Sequence, residues 1–141
     1  MKQHRPLRHI FSFVLLVTTM LILQSCVYEP HCVTIIENNT DSTIYITTPI
    51  DIVNSKIVYR PYEPNQSDIT KLDTNDLRVT FKVASKSNVT ILEQHSSSPV
   101  FNINYLSIKS PKQNIVFTSS SDITNAFTKI KNDTCKLTID K

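Results

Sequence analysis

The chain has 141 residues, 15 basic and 12 acidic, giving a formal net charge of +3 without a long run of one sign. That balance excludes the basic footprint of a nucleic-acid binder and a polybasic membrane patch. The chain holds no glycine, which excludes the G-x-x-x-x-G-K phosphate loop, the G-x-G-x-x-G dinucleotide turn and the G-x-S-x-G nucleophile elbow; backbone positions with φ > 0 are expected to fall to Asn and Asp.

The N-terminus carries Lys2, Arg5 and Arg8 and no acid, followed by a nearly unbroken apolar run from Ile10 to Leu23. Its 14 residues would span about 21 Å as a helix, short of the roughly 30 Å bilayer core. A basic segment followed by a short apolar one is the form of an export signal. Leu23 at −3 does not fit an ordinary cleavage site, which wants small residues at −1 and −3. The stretch Leu23-Gln24-Ser25-Cys26 instead resembles the lipobox of bacterial lipoproteins, with Gln24 an atypical residue at its position. The resemblance implies a signal peptide over 1–25, cleavage before Cys26, a diacylglyceryl group on the Cys26 sulfur and acylation of the new amine. Val27, where an Asp would favour inner-membrane retention, implies the outer membrane. One acid in Val27–His31 implies its periplasmic face rather than the cell surface. An uncleaved short anchor and plain secretion are the alternatives.

Removal of 25 residues would leave 116, with 12 basic against 12 acidic. We read 26–31 as a lipidated tether and 32–141 as a single domain, large enough to bury a core without metal. With Cys26 acylated, Cys32 and Cys135 form an even pair in an oxidising compartment. A disulfide between them is expected; its long loop would contribute about 4.7 kcal/mol in the chain-entropy picture. Two reduced thiols or an intermolecular link are the alternatives.

Cys32–Glu37 reads as a first strand from its β-branched residues. Asn38–Asp41 is a turn cluster, and Ser42–Thr48 alternates, with Ile44 and Ile46 on one face; together they read as a hairpin that Pro49 ends. Ile50–Tyr59 is a weaker β stretch. Two prolines make residues 60–76 a loop or edge region, with one helical turn near Asp68–Leu72. Leu77, Val79, Phe81 and Val83 point one way, predicting a strand with one solvated face. Ser85–Asn88 turns the chain and Val89–Leu92 returns it, before a polar loop from Gln94 to Pro99. Phe101, Ile103 and Tyr105 alternate, with a change of phase or a new element at Leu106. Ile115–Thr118 is a short strand. Ile123, Phe127 and Ile130 predict a helix of about ten residues with Ser121 or Asp122 as N-cap. Thr134–Asp140 is the last strand, with Cys135 on its apolar face. Seven or eight short strands with one helix before the last imply an all-β antiparallel sandwich, Ig-like or similar. An Asn/Asp turn leading into Ile44-Tyr45-Ile46 resembles small β-rich lipoproteins of Gram-negative cell envelopes, a resemblance that implies no reaction.

Candidate chemistry is sparse. His31 beside Cys32 lacks further metal ligands nearby in sequence, and reads as a solvated tether residue. His95 precedes Ser96-Ser97-Ser98, but adjacent residues do not face one another as a catalytic triad requires. Asp68, Asp73 and Asp76 suggest a calcium loop without its central Gly and terminal Glu. No catalytic residue, metal or cofactor is assigned. Tyr59, Arg60 and Tyr62, with Tyr28 as a further aromatic, are the best candidates for a ligand contact patch; the competing reading makes Tyr59 core and Tyr62 the cover of an edge. Sequons begin at Asn38, Asn65, Asn88 and Asn132, and Asp41-Ser42-Thr43 resembles a bacterial O-glycosylation motif. The expected function is a non-enzymatic binding or accessory module, held to the membrane through Cys26 and facing an envelope protein or glycan. A structural or adhesive subunit of a surface assembly and an enzyme inhibitor are the alternatives.

Overall fold

A computed structural model describes residues 31–95, 100–131 and 133–140. Residues 1–30, with the expected signal peptide, Cys26 and Tyr28, lie outside the described residues. Among those described, no helix is long and apolar enough to cross a membrane. They form ten strands and one α-helix in an all-β, sandwich-like fold. The strands are β1 Cys32–Asn38, β2 Ile44–Val53, β3 Lys56–Tyr59, β4 Ile69–Asp73, β5 Arg78–Val83, β6 Ser87–Gln94, β7 Leu106–Lys109, β8 Asn114–Phe117, β9 Thr128–Lys131 and β10 Thr134–Ile139. The helix, α1, is Ser120–Ala126, and one 3-10 turn spans Gln66–Asp68. One sheet has the order β6-β1-β10-β9; the other runs β4-β5-β2-β7-β8, with β3 added to β2. All pairs are antiparallel except β1 with β10.

Alternation gave the buried residues of β5 and β10 and of the first half of β2. In β1, Cys32, Thr34, Ile36 and Asn38 are buried, and in β5, Val79, Phe81 and Val83 are. Cys32, Ile36, Phe81 and Val83 meet Ile44 and Ile46 of β2, Leu106 and Ile108 of β7, and Ile139 of β10 in one core. The expected β1–β2 hairpin is corrected: the two strands belong to different sheets. The Asn38–Asp41 cluster is a corner between layers, built around one buried amide. Asn38 Nδ2 donates to the carbonyls of Ser42 (2.8 Å), Val83 (3.2 Å) and Ala84 (2.8 Å). Its Oδ1 accepts from the Thr40 amide and hydroxyl. The β5–β6 crossing passes the same corner, where the Ser85 hydroxyl donates to the Thr40 carbonyl.

Pro49 does not end β2. It pairs with Arg78, and the next residue, Ile50, donates its amide to Leu77. Successive residues point to opposite strand edges, so the missing N–H of Pro49 faces the other edge. There β7 pairs only as far as Thr47 and β3 only from Ile50, and no ladder bond is lost. Asn54 and Ser55, with φ of 50° and 63°, form the two-residue turn into β3. Leu77 and Lys86 also take positive φ, so among the described residues only one of the four left-handed positions falls to Asn and none to Asp. Leu77 is correspondingly exposed rather than in the strand's apolar set.

Three further expectations shift. Phe101 and Ile103 are buried but belong to no strand; they plug the core as irregular chain, and a new strand does start at Leu106. The helical turn of the 60–76 region lies at Gln66–Asp68, ahead of edge strand β4. Helix α1 is shorter than expected, at seven residues, and its N-cap is Ser119, whose hydroxyl accepts from the Asp122 amide at 3.1 Å and donates to the Asp122 carboxylate. Ile123 and Phe127 bury, while Ile130 continues into β9 as an exposed strand residue. Pairing of β9 with β10 overrides a weak helical tendency over Thr128–Lys131.

Candidate functional site

The structure separates the three residues of the expected contact patch. Arg60 is engaged: its Nε lies 2.7 Å from Asp51 Oδ2, and its carbonyl accepts from the Thr48 hydroxyl. The Arg60–Pro61 peptide is cis. Tyr59, half-buried at the end of β3, lines a shallow hollow with Glu63, Gln66, Ile69 and Leu72. Tyr62 faces a different groove. Its ring packs on Phe81, with centroids 5.1 Å apart and planes tilted by 51°. Asn65 stands between the two hollows and lines both.

The Tyr62 groove has a volume of about 470 Å³ and opens where β5 crosses to β6. That lies within the roughly 300–1,000 Å³ typical of small-molecule sites. Phe81, Val83 and Val89 supply apolar wall; Asn65, Asp68 and Asn88 supply amide and carboxylate groups. Lys82 adds a cation to the same lining. Burial, with the nearby Asp68 carboxylate second, raises the Tyr62 phenol above its ordinary value, so it remains a neutral hydrogen-bond donor at physiological pH. The groove therefore offers stacking and neutral hydrogen bonding. Sequence reading found Tyr62 but missed Asp68, Lys82 and Asn88 as its neighbours. They come from three segments that only the β5–β6 crossing brings together.

The expected disulfide is corrected. Cys32 and Cys135 are both free and buried, at 1% and 3% exposure. They do lie on neighbouring strands, but Cys135 registers with Thr34, two residues beyond Cys32. An offset of about 6.6 Å along the strand and about 4.8 Å across it separates the Cα atoms by about 8 Å, beyond the roughly 7 Å that a bridge tolerates. Burial, then the adjacent Cys32 thiol, raises the Cys135 thiol above its ordinary value. The folded Cys135 thus keeps its proton where the unfolded thiol loses it. Its contribution to stability is full below an unfolded pKa of about 8.5 and is lost as pH rises above that. Both thiols should resist alkylation in the native protein at pH 8 and react fully in 6 M guanidinium; dithiothreitol should leave the melting temperature unchanged. A thiol that alkylates at once in native buffer would overturn the burial, and a reductant-sensitive melting point would restore the bridge.

His31 is not a free tether residue. Its Nε2 lies 3.1 Å from Glu93 Oε1, and its ring meets His95 at 5.6 Å between centroids. Ser96–Ser98 lie outside the described residues. Asp73 accepts from the amides of Asn75 and Asp76 and pairs with Lys71 at 3.0 Å, which holds its carboxyl below the usual range. This closes a turn on itself. Among the described residues no group of three His, Cys, Asp or Glu side chains could hold a metal ion. Asn38 is fully buried and so closed to glycosylation in the folded state, while Asn65 and Asn88 are exposed. No family model, curated protein or solved structure matches the chain.

Proposed function

We propose that the protein is a lipid-anchored, non-enzymatic binding module of the bacterial cell envelope, held at the periplasmic face of the outer membrane. The observation that carries this reading is the sequence Leu23-Gln24-Ser25-Cys26 closing an apolar run too short to span a bilayer. A tether of only five residues precedes His31, the first described residue, so a lipidated Cys26 would hold the sandwich close to its membrane. The Tyr62 groove supports the binding part of the reading. It presents an aromatic wall with amide and carboxylate groups around it, a combination suited to a polar ligand such as an envelope glycan or a segment of an envelope protein.

The test is direct. Protein purified from a Gram-negative host should carry an N-terminal Cys26 with three acyl chains by mass spectrometry. Cys26→Ser should remove both the acyl mass and the cut before residue 26, leaving an uncleaved chain that keeps its apolar run, because Leu23 at −3 does not suit an ordinary cleavage. An intact chain with unmodified Cys26 would refute the anchor.

A further inference from the structure

We propose that the β2–β3 hairpin is a second membrane contact, an arm that rests in the lipid surface beside the anchor; the inference rests on the lipoprotein reading above. Pairing of β2 with β7 stops at Thr47 and with β5 at Pro49. Ile50–Val53 and Lys56–Tyr59 then pair with each other past the end of those ladders. The four-residue ribbon extends for about 13 Å. Its side chains do not fit its solvated position: Ile52, Val53 and Val58 are 47%, 51% and 39% exposed. Leu72 and Leu77, at 41% and 42%, add to the same end of the molecule, where the Leu77 carbonyl accepts from Ile50.

Three observations favour lipid as the occupant. Ile52 lies on one face of the ribbon and Val53 and Val58 on the other. A protein partner covers one face of a two-stranded ribbon; a lipid interface takes both. The composition is also that of an interface. Tyr59 sits at the base, Asp51 is neutralised by Arg60 at 2.7 Å, and the remaining charge of the ribbon is Lys56 beside the tip, the sign that anionic headgroups attract. Finally, the arm lies where the anchor leads. Asn38 ties the end of β1 to the end of β5 and the start of β2. Cys32 at the start of β1 and Val53 at the end of β2 are therefore the strand ends away from that corner. The five residue steps from Cys26 to His31 reach at most about 18 Å, which keeps the start of β1 near the lipid.

The acylated full chain, carrying Asn54→Cys labelled with an environment-sensitive fluorophore, is reconstituted in phosphatidylethanolamine–phosphatidylglycerol vesicles containing brominated lipid. The buried Cys32 and Cys135 stay unlabelled. The Asn54 label should be quenched roughly twofold, as expected at the 5–10 Å depth of interfacial segments. A label at Lys112→Cys, beside the Asn38 corner, should be unaffected. Ile52→Thr with Val58→Thr should reduce the quenching sharply while changing the melting temperature little, since both side chains are exposed and threonine keeps the β preference without setting a charge opposite Asp51. An unquenched Asn54 label on chains whose Cys26 is acylated by mass spectrometry overturns the arm and leaves the anchor standing. If Cys26 proves unmodified, the anchor reading fails separately. Adding the unacylated chain to the same vesicles then decides the arm alone: quenching upholds it, and an unchanged label refutes it.

Discussion

Replacing Asn38 with alanine is expected to lower the unfolding free energy by about 3 kcal/mol and the melting temperature by roughly 8–15 °C. The side chain is fully buried, yet it makes five hydrogen bonds, three of them donated to the carbonyls of Ser42, Val83 and Ala84. Alanine strips those carbonyls of a donor in a place that water does not readily reach, and each such loss costs about 1–3 kcal/mol where no other partner substitutes. The bonds span two crossings between the sheets, so the loss falls on the joint between layers. Asn38→Asp separates donor loss from loss of volume. It preserves the shape, removes both N–H donors and adds a buried charge, and should be at least as damaging. Asn39→Ala is the control, because that side chain is exposed and meets only Asp140 at 2.9 Å; it should cost less than about 0.5 kcal/mol. Urea unfolding followed by far-ultraviolet circular dichroism measures all three. If Asn38→Ala unfolds within 1 kcal/mol of the parent, the corner is not what joins the sheets.

Phe81→Ala is expected to cost about 3–5 kcal/mol, the range for emptying an aromatic site that cannot collapse. Phe81 is 1% exposed at the centre of β5, between Ile46 of β2 and Ile69 of β4 in register. It also carries Tyr62 on its ring, a contact worth about 0.5–1.5 kcal/mol beyond buried area. The effect should therefore appear twice: in the unfolding midpoint, and in the Tyr62 ring signals by NMR, which should lose their ring-current shift. Phe81→Leu keeps most of the volume and should cost no more than about 1.5 kcal/mol, while still removing the ring contact. A Phe81→Ala variant as stable as the parent would mean that the groove wall is not part of the core.

The faces of β2, β5 and β10 were legible because they depend on a two-residue period that each segment carries within itself; that of β1 was not, because Thr34 and Asn38 share its buried face. The burial of Ile123 and Phe127 was legible too. The end of α1 was not, since Ile130 keeps helical spacing in the sequence but lies in β9, whose Thr128, Lys129 and Lys131 pair with β10. The disulfide failed on register: the two cysteines do lie on neighbouring strands, but sequence does not fix an offset of two residues. Of the candidate patch, Tyr62 lines one groove, Tyr59 lines another hollow and Arg60 pairs with Asp51.

Sequence by itself determined the all-β class, the inward residues of β2, β5 and β10, the balanced charge and the lipobox-like stretch from which the anchor is proposed. Tertiary structure alone decided which sheet each strand joins, the one parallel pair, and the company Tyr62 keeps. The division follows from range. Side-chain alternation and capping act over two to four residues, but the bonds from Asn38 to Val83 and Ala84 close separations of 45 and 46 residues. No local pattern encodes contacts of that span; they arise only when two sheets bury their apolar faces against each other.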